Sequence, residues 1–550
     1  MDGALGFPGL TLARDDLLAL AAGGSTYEAL AFLESGERTR RLVLLKELLT
    51  ALEDTPGLVG PLGSWTVAWA LLERAAAADP DIAEDLLTGP QTGSWLAHTL
   101  RRLNGQTGAA PLWSDIGRLF VLAGTAALRA GVDASLPVPL RDGTLSLPGI
   151  GLARLPGSHP PHATGSLTLS RGRLTLSANG VNTPPLSAAS ATGPHWQPLR
   201  FLQPGRVQLD DIDPYRDLDE PVPAQPLDGV EFAKWQGAYA DACGLLRDAT
   251  GGGEPLAAGT VDVAAIRTIV PWRRGPEQPP GDAPVQLSAS TGDAYASMVI
   301  SRPDTGLQLA ETLVHEFQHS KLAALLHHFS LVDDDRTERF YAPWRSDPRH
   351  LTGLLHGAYA FTGVAGFWRR RLRDGTADPE VAAYYFALRR LQARLVVRTL
   401  ALSERLTPQG RCVVSGLADT LGAWLHEEVP GTALYRARVA ARLHRTEWRL
   451  RNLRPPDFSP DPTGETWPDA RTHGFARPTR SPRSADELLA AGRPAQALQV
   501  YLSAPESGPS VRAGAVVAAA WARPGTESAR ALARPERVSG ADNFSARPSS

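Results

Sequence analysis

Apolar residues recur at helical spacing through most of this chain, and in one stretch the period drops to two. From about Leu12 to Val132, Leu/Ala runs such as 41–52 and 66–77 are broken by Gly57, Pro61 and Pro80, which predicts a succession of helices. Between Leu136 and Leu209 the pattern alternates. Ser166-Leu167-Thr168-Leu169-Ser170 and Leu174-Thr175-Leu176-Ser177 flank Arg171-Gly172-Arg173, a hairpin signal with glycine in its turn, and 195–202 and 206–209 continue the strand character. A helix is expected over 230–248, closed by Thr250-Gly251-Gly252-Gly253, then a short buried strand at 266–271 and one or two strands within 285–300. Further helices are expected at 351–373, 379–407 and 434–450, and a helical hairpin within 485–520. The class predicted is α+β and predominantly helical, with a β-rich segment ahead of a metal-binding helix. The segments are a helical N-terminal region (1–135), a β-rich region (136–215), a region carrying that helix (216–451), a Pro/Arg/Thr-rich linker (452–484), a helical C-terminal segment (485–535) and a disordered tail (536–550).

Composition narrows the class of protein. At 550 residues and 43% hydrophobic content the chain can bury cores of two to four domains without covalent staples. Cys243 and Cys412 are too few for a disulfide framework or a cysteine-based zinc cluster, and they read as buried small side chains in a reducing compartment. No signal-peptide pattern and no apolar run of membrane-spanning length is present, so a cytoplasmic location is expected. A net charge of -2 offers no long-range attraction to nucleic acid or anionic lipid, and neither is expected as a partner.

Within the stretch leading on from 285–300, Leu307, Ala310, Leu313, Val314, Phe317, Leu322, Leu325 and Leu326 form an apolar stripe after Pro303, with Asp304 and Thr305 as candidate caps. This helix carries His315-Glu316-Phe317-Gln318-His319. At 3.6 residues per turn the two imidazoles fall on one face about one turn apart, close enough to grip one ion. A third protein ligand is the usual complement. His327 and His328 lie about 12 Å further along the axis from His319, too far to share its ion. His356, in the apolar stretch Leu354-Leu355-His356-Gly357-Ala358-Tyr359-Ala360-Phe361, is the better candidate, and a satisfied core histidine is its alternative reading. Arg345 and Arg349 flank Asp347 in a Pro-bounded loop. They either hold a carboxylate cosubstrate in bidentate fashion or pair with the local acid. If the metal were zinc, Glu316 would be the general base of a metallopeptidase.

Taken in order, the His315–His319 motif, the block Pro343-Trp344-Arg345-Ser346-Asp347-Pro348-Arg349 and the block Leu355–Phe361 resemble the bacterial HExxH-motif, alpha-ketoglutarate-dependent peptide beta-hydroxylases of ribosomal peptide modification. Trp196–Arg200 and Leu209–Arg216 resemble family text as well, and the likeness spans roughly Gly9 to Leu450. The resemblance implies an Fe(II)-, 2-oxoglutarate- and oxygen-dependent hydroxylation of a β-carbon in a precursor peptide, often beside a radical SAM peptide maturase. It implies iron ligation by His315, His319 and His356 and a cosubstrate anchor at Arg345 or Arg349; the role of the catalytic candidate Glu316 in an oxygenase stays open, orientation of a ligand or a water being one. A zinc peptidase and a non-catalytic peptide-binding protein are the alternatives.

Overall fold

The structure, a computed structural model, describes residues 11–204, 206–246, 256–272, 287–375, 378–453, 470–504 and 508–537. It is α+β and predominantly helical, as the periodicities predict. Packing divides the chain into two compact units. One comprises 27–254 and 261–328 with the residues before Ala13, and the other comprises 13–26, 255–260 and 329–550. Helix α1 (Arg14–Ala21) belongs to the second.

The first unit opens with α2 (Tyr27–Asp54), α3 (Trp65–Ala78), α4 (Pro80–Thr88), α5 (Pro90–Leu103), α6 (Leu112–Ile116) and α7 (Arg118–Arg129). A curled antiparallel sheet follows, made of β1 (Ala134–Arg141), β2 (Thr144–Leu147), β3 (Gly151–Arg154), β4 (His162–Ser170), β5 (Arg173–Ala178), β6 (Val181–Asn182) and β7 (Trp196–Pro198) in the order β6-β5-β4-β1-β2-β3-β7. The β4–β5 turn sets Arg171 and Gly172 at φ 52° and 70°, the pair of positive φ values that a two-residue hairpin turn requires. Strand β1 contains Pro137 and Pro139, yet lies between β4 and β2. Its pairing to β2 is confined to Arg141 and Thr144, so the two missing N–H donors interrupt no ladder there. Leu136, Val138 and Leu140 face a core shared with α3 and α7. Helix α7 approaches so closely that a Cβ on Gly124 would meet the Leu167 side chain at 2.7 Å.

A second sheet joins β8 (Arg200–Leu202), β9 (Val207–Leu209), β10 (Thr268–Trp272), β11 (Ser288–Ala289) and β12 (Ser297–Ser301) in the order β11-β12-β10-β9-β8. Its three central strands are parallel, and they bear buried runs such as Met298-Val299-Ile300 rather than an alternation. Helix α8 (Gly229–Leu246) packs on α9 (Gly306–His328), where a Cβ on Gly306 would fall 2.3 Å from Asp241 Cβ. The glycine-rich stop expected after α8 lies outside the described residues.

The second unit holds α10 (Leu351–Arg373), α11 (Pro379–Ala401), α12 (Pro408–Trp424), α13 (Gly431–Asn452), α14 (Ala470–Gly474), α15 (Ala485–Ala490), α16 (Pro494–Leu502), α17 (Pro509–Ala522) and α18 (Thr526–Ala533). The single helix expected over 379–407 ends at Ala401, and α12 was not expected. Thr407 caps α12 by accepting from Gly410 N, with Pro408 at its first turn. Cys412, on α12, is half-buried rather than buried, whereas Cys243 is buried as expected. Of the stretch read as linker, 454–469 lies outside the described residues. Arg471 beyond it is held by Glu447 and Asp486. The tail from 538 onward is also outside them, while Glu536 forms a two-bond ion pair with Arg449. Among the described residues no helix is long and apolar enough to cross a membrane.

Candidate metal centre

Strand β12 feeds α9 through Pro303, and Thr305 caps the helix by accepting from Gln308 N while the Gln308 side chain accepts from Asp304 N. Leu309, Ala310, Leu313, Val314, Phe317, Leu322 and Leu325 are buried, so the helix is anchored along its apolar side. His315 and His319 are half-buried, with ring centroids 4.7 Å apart and Nε2 atoms 3.1 Å apart. Two metal–imidazole bonds of about 2.0–2.1 Å, set at tetrahedral to octahedral angles, separate their nitrogens by about 2.9–3.4 Å. The nitrogen separation therefore matches two positions on one ion.

Glu316 is nearly inaccessible and packs toward β11. Its Oε1 lies 3.9 Å from His315 Nε2. Burial pushes its carboxyl up to about 7 against the opposing pull of the Ser288 and Ser290 hydroxyls. Among the described residues its Oε2 completes no hydrogen bond. Two residues past His319, burial lowers the Lys321 ammonium to about 7. His327 and His328 serve the helix rather than an ion. His327 Nδ1 sits 2.6 Å from Glu37 Oε1, and His328 packs edge-on to Phe32 over Gly36, where a Cβ would fall 1.8 Å from its Nε2.

The other expected site residues lie in the second unit. His356 is half-buried on α10. The Trp344 ring lies over the neighbouring Gly357, where a Cβ would meet it at 2.1 Å, and it stacks on Phe361 at 4.6 Å, so the two family-like blocks are packed together. Gln392 donates to Pro343 O and Asn452 to Ser346 O, which pins the arginine loop at both ends. Arg345 Nε and Arg349 Nε lie 2.8 and 3.4 Å from the Asp347 carboxylate, the local pairing that the sequence left as an alternative. Among the described residues no group of three or more His, Cys, Asp or Glu is gathered to hold an ion. The structure thus brings His315 and His319 together on one face of α9.

Polar contacts tie down the two upstream blocks. Arg200 Nη2 donates to Asp211, Arg118 pairs with Asp213, and Tyr215 donates to Asp115. Sequence reasoning did not single out Ser288 and Ser290 beside Glu316, nor Glu37 under His327. Ser288, Ser290 and Thr291 alternate with other residues in the sequence, which is a strand signal for the first, and nothing local marks the second. No protein-family model matches the chain, and no curated protein matches it.

Proposed function

We propose that this protein is an Fe(II)- and 2-oxoglutarate-dependent hydroxylase that acts on a β-carbon of a ribosomally made precursor peptide in the cytoplasm. The observation that carries the metal reading is the 3.1 Å approach of His315 Nε2 and His319 Nε2 on a helix anchored by its buried face. The reaction class rests on the family resemblance of the motif and the two downstream blocks. Bound iron with 2-oxoglutarate would supply the oxygen activation that no amino-acid side chain can. The chain's own part is positional. His315 and His319 hold the ion, and β12 and α9 give them rigid support. Glu316, close to His315 and raised by burial above the ordinary carboxylate range, orients that imidazole or a water. By the resemblance, His356 is the third ligand, Arg345 or Arg349 anchors the cosubstrate carboxylate, and a radical SAM maturase shares the peptide.

The test is turnover. Anaerobically loaded with Fe(II), the full chain should convert 2-oxoglutarate to succinate when oxygen is admitted, and a precursor peptide encoded beside it should gain one oxygen atom. Zinc should inhibit, since it has no redox chemistry. The buried Glu316 carboxyl, 3.9 Å from His315 Nε2, also favours a second reading, a zinc peptidase with Glu316 as general base. Zinc-dependent peptide cleavage without succinate would decide for it.

A further inference from the structure

The first unit contains a cavity of about 200 Å³ where β1, β2, β3, α7 and residues 212–224 meet. It is smaller than the roughly 300–1,000 Å³ of drug-sized pockets, so it suits one small molecule or one side chain. Three guanidiniums line it, those of Arg118, Arg141 and Arg154, and Leu145, Leu152 and Ile212 supply apolar wall. Arg118 is buried and donates through Nη2 to Asp213 at 2.5 Å, while its Nε completes no hydrogen bond among the described residues. Arg141 donates through Nη2 to Asp115 at 2.7 Å and to the Tyr215 hydroxyl at 3.1 Å. Arg154 is exposed, and among the described residues its guanidinium forms no ion pair.

The charges around the cavity do not cancel. Asp115 is shared by Arg102 and Arg141, and Asp213 is taken by Arg118. With Arg154 and Asp142 on the lining, four guanidiniums (Arg102, Arg118, Arg141, Arg154) face three carboxylates (Asp115, Asp142, Asp213). A guanidinium carries five N–H donors, and most of those on the lining are not used by the ion pairs above. Cationic donors beside Leu145, Leu152 and Ile212 match an organic anion, whose carbon chain those side chains cover, and the hydroxyls of Ser114, Thr144 and Ser146 on the lining add donors for its carboxylate.

We propose that this cavity is a binding site for a small organic carboxylate, held by Arg154 and the free edge of Arg141 with its carbon chain on Leu145, Leu152 and Ile212. The carboxylate belongs either to a free diacid or to an Asp or Glu side chain of a peptide. This inference does not depend on the metal centre. The experiment uses the metal-free full chain in chelator, titrated calorimetrically with glutarate, with N-acetylglutamate α-methylamide as a peptide-borne carboxylate, and with sulfate. At least one organic carboxylate should bind saturably, with a Kd of about 1 mM or tighter. Arg154→Ala should weaken it about tenfold or more, and Arg154→Lys less. Hydrogen exchange should slow in 139–146 and 212–224 on binding. Preference for glutarate identifies a free diacid and preference for the amide a peptide side chain, and either supports the site. His315→Ala, titrated in parallel, should bind as the wild type does. No saturable binding at roughly 10 mM, equal binding of sulfate, indifference to Arg154→Ala, or loss with His315→Ala alone would each overturn the proposal.

Discussion

Asp115 in the first unit and Asp347 in the second are both carboxylates gripped by two arginines, and they differ in water. Asp115 has no exposed side-chain surface, whereas Asp347 is 46% exposed and its partners Arg345 and Arg349 are 48% and 32% exposed. Burial alone would raise the Asp115 carboxyl. The His98 contact, Arg141 and the Tyr215 hydroxyl overcome that and hold it down to about 2. Asp347 is also lowered, with burial opposing and Arg345 and Arg349 responsible, but solvent screens both pairs. The same chemistry therefore does two things. At Asp115 it fixes α5, α6, β1 and the 210–216 segment to one another, because no member can leave without stranding a buried charge. At Asp347 the pairing costs little to exchange, which is what an arginine must do if it is to trade a resident carboxylate for a dissociable one.

The largest consequence is for stability. Asp115→Ala should lower the unfolding free energy by about 3–5 kcal/mol, the usual cost of removing one partner from a buried ionic cluster, as read by urea denaturation. A loss below about 1 kcal/mol would place Asp115 with the screened pairs and end the contrast. A smaller effect appears with pH. The folded Asp115 carboxyl titrates at about 2, below the ordinary 3.8, so its contribution is fully present above 3.8 and disappears as pH falls through about 2. Against Asp115→Asn, the wild type should lose roughly 2 kcal/mol of relative stability across that window. Parallel acid limbs would show that the ionised form is not what the cluster stabilises. Asp347→Ala is the smallest, expected to shift stability by about 1 kcal/mol or less. Its informative readout is the 2-oxoglutarate requirement, which should change sharply with Arg345→Lys or Arg349→Lys if either arginine anchors the cosubstrate.

Local regularities carried most of what could be read from the chain. The stripe from Leu309 to Leu325 and the spacing of His315 and His319 lie within one helix, where 3.6 residues per turn decides the geometry, and α9 has both. Helix α10 was bounded at both ends, and the structure shows why it starts where it does: His350 caps it by accepting from Gly353 N and is itself held by Asp334. Helix α12 was missed although Thr407-Pro408 is a readable start signal, because the apolar run before it continued past Leu402, an exposed residue outside the helix. Long-range chemistry could not be read. Arg141 and Tyr215 reach Asp115 from 26 and 100 residues away, and no local pattern in Leu209–Arg216 distinguishes a structural acid loop from a binding motif. Ser288 and Ser290 were legible as a strand but not as neighbours of a buried carboxyl 26 to 28 residues later.

The two-imidazole site is tested most directly by anaerobic Fe(II) titration of the metal-free full chain, with bound metal counted after desalting and thermal unfolding of the metal-free forms recorded in parallel. The wild type should retain one iron per chain. His315→Ala and His319→Ala should retain none while unfolding at nearly the wild-type temperature, since both rings are half-buried and leave the apolar face of α9 intact. Stoichiometric iron in either variant, or none in the wild type, would contradict a metal centre on this helix.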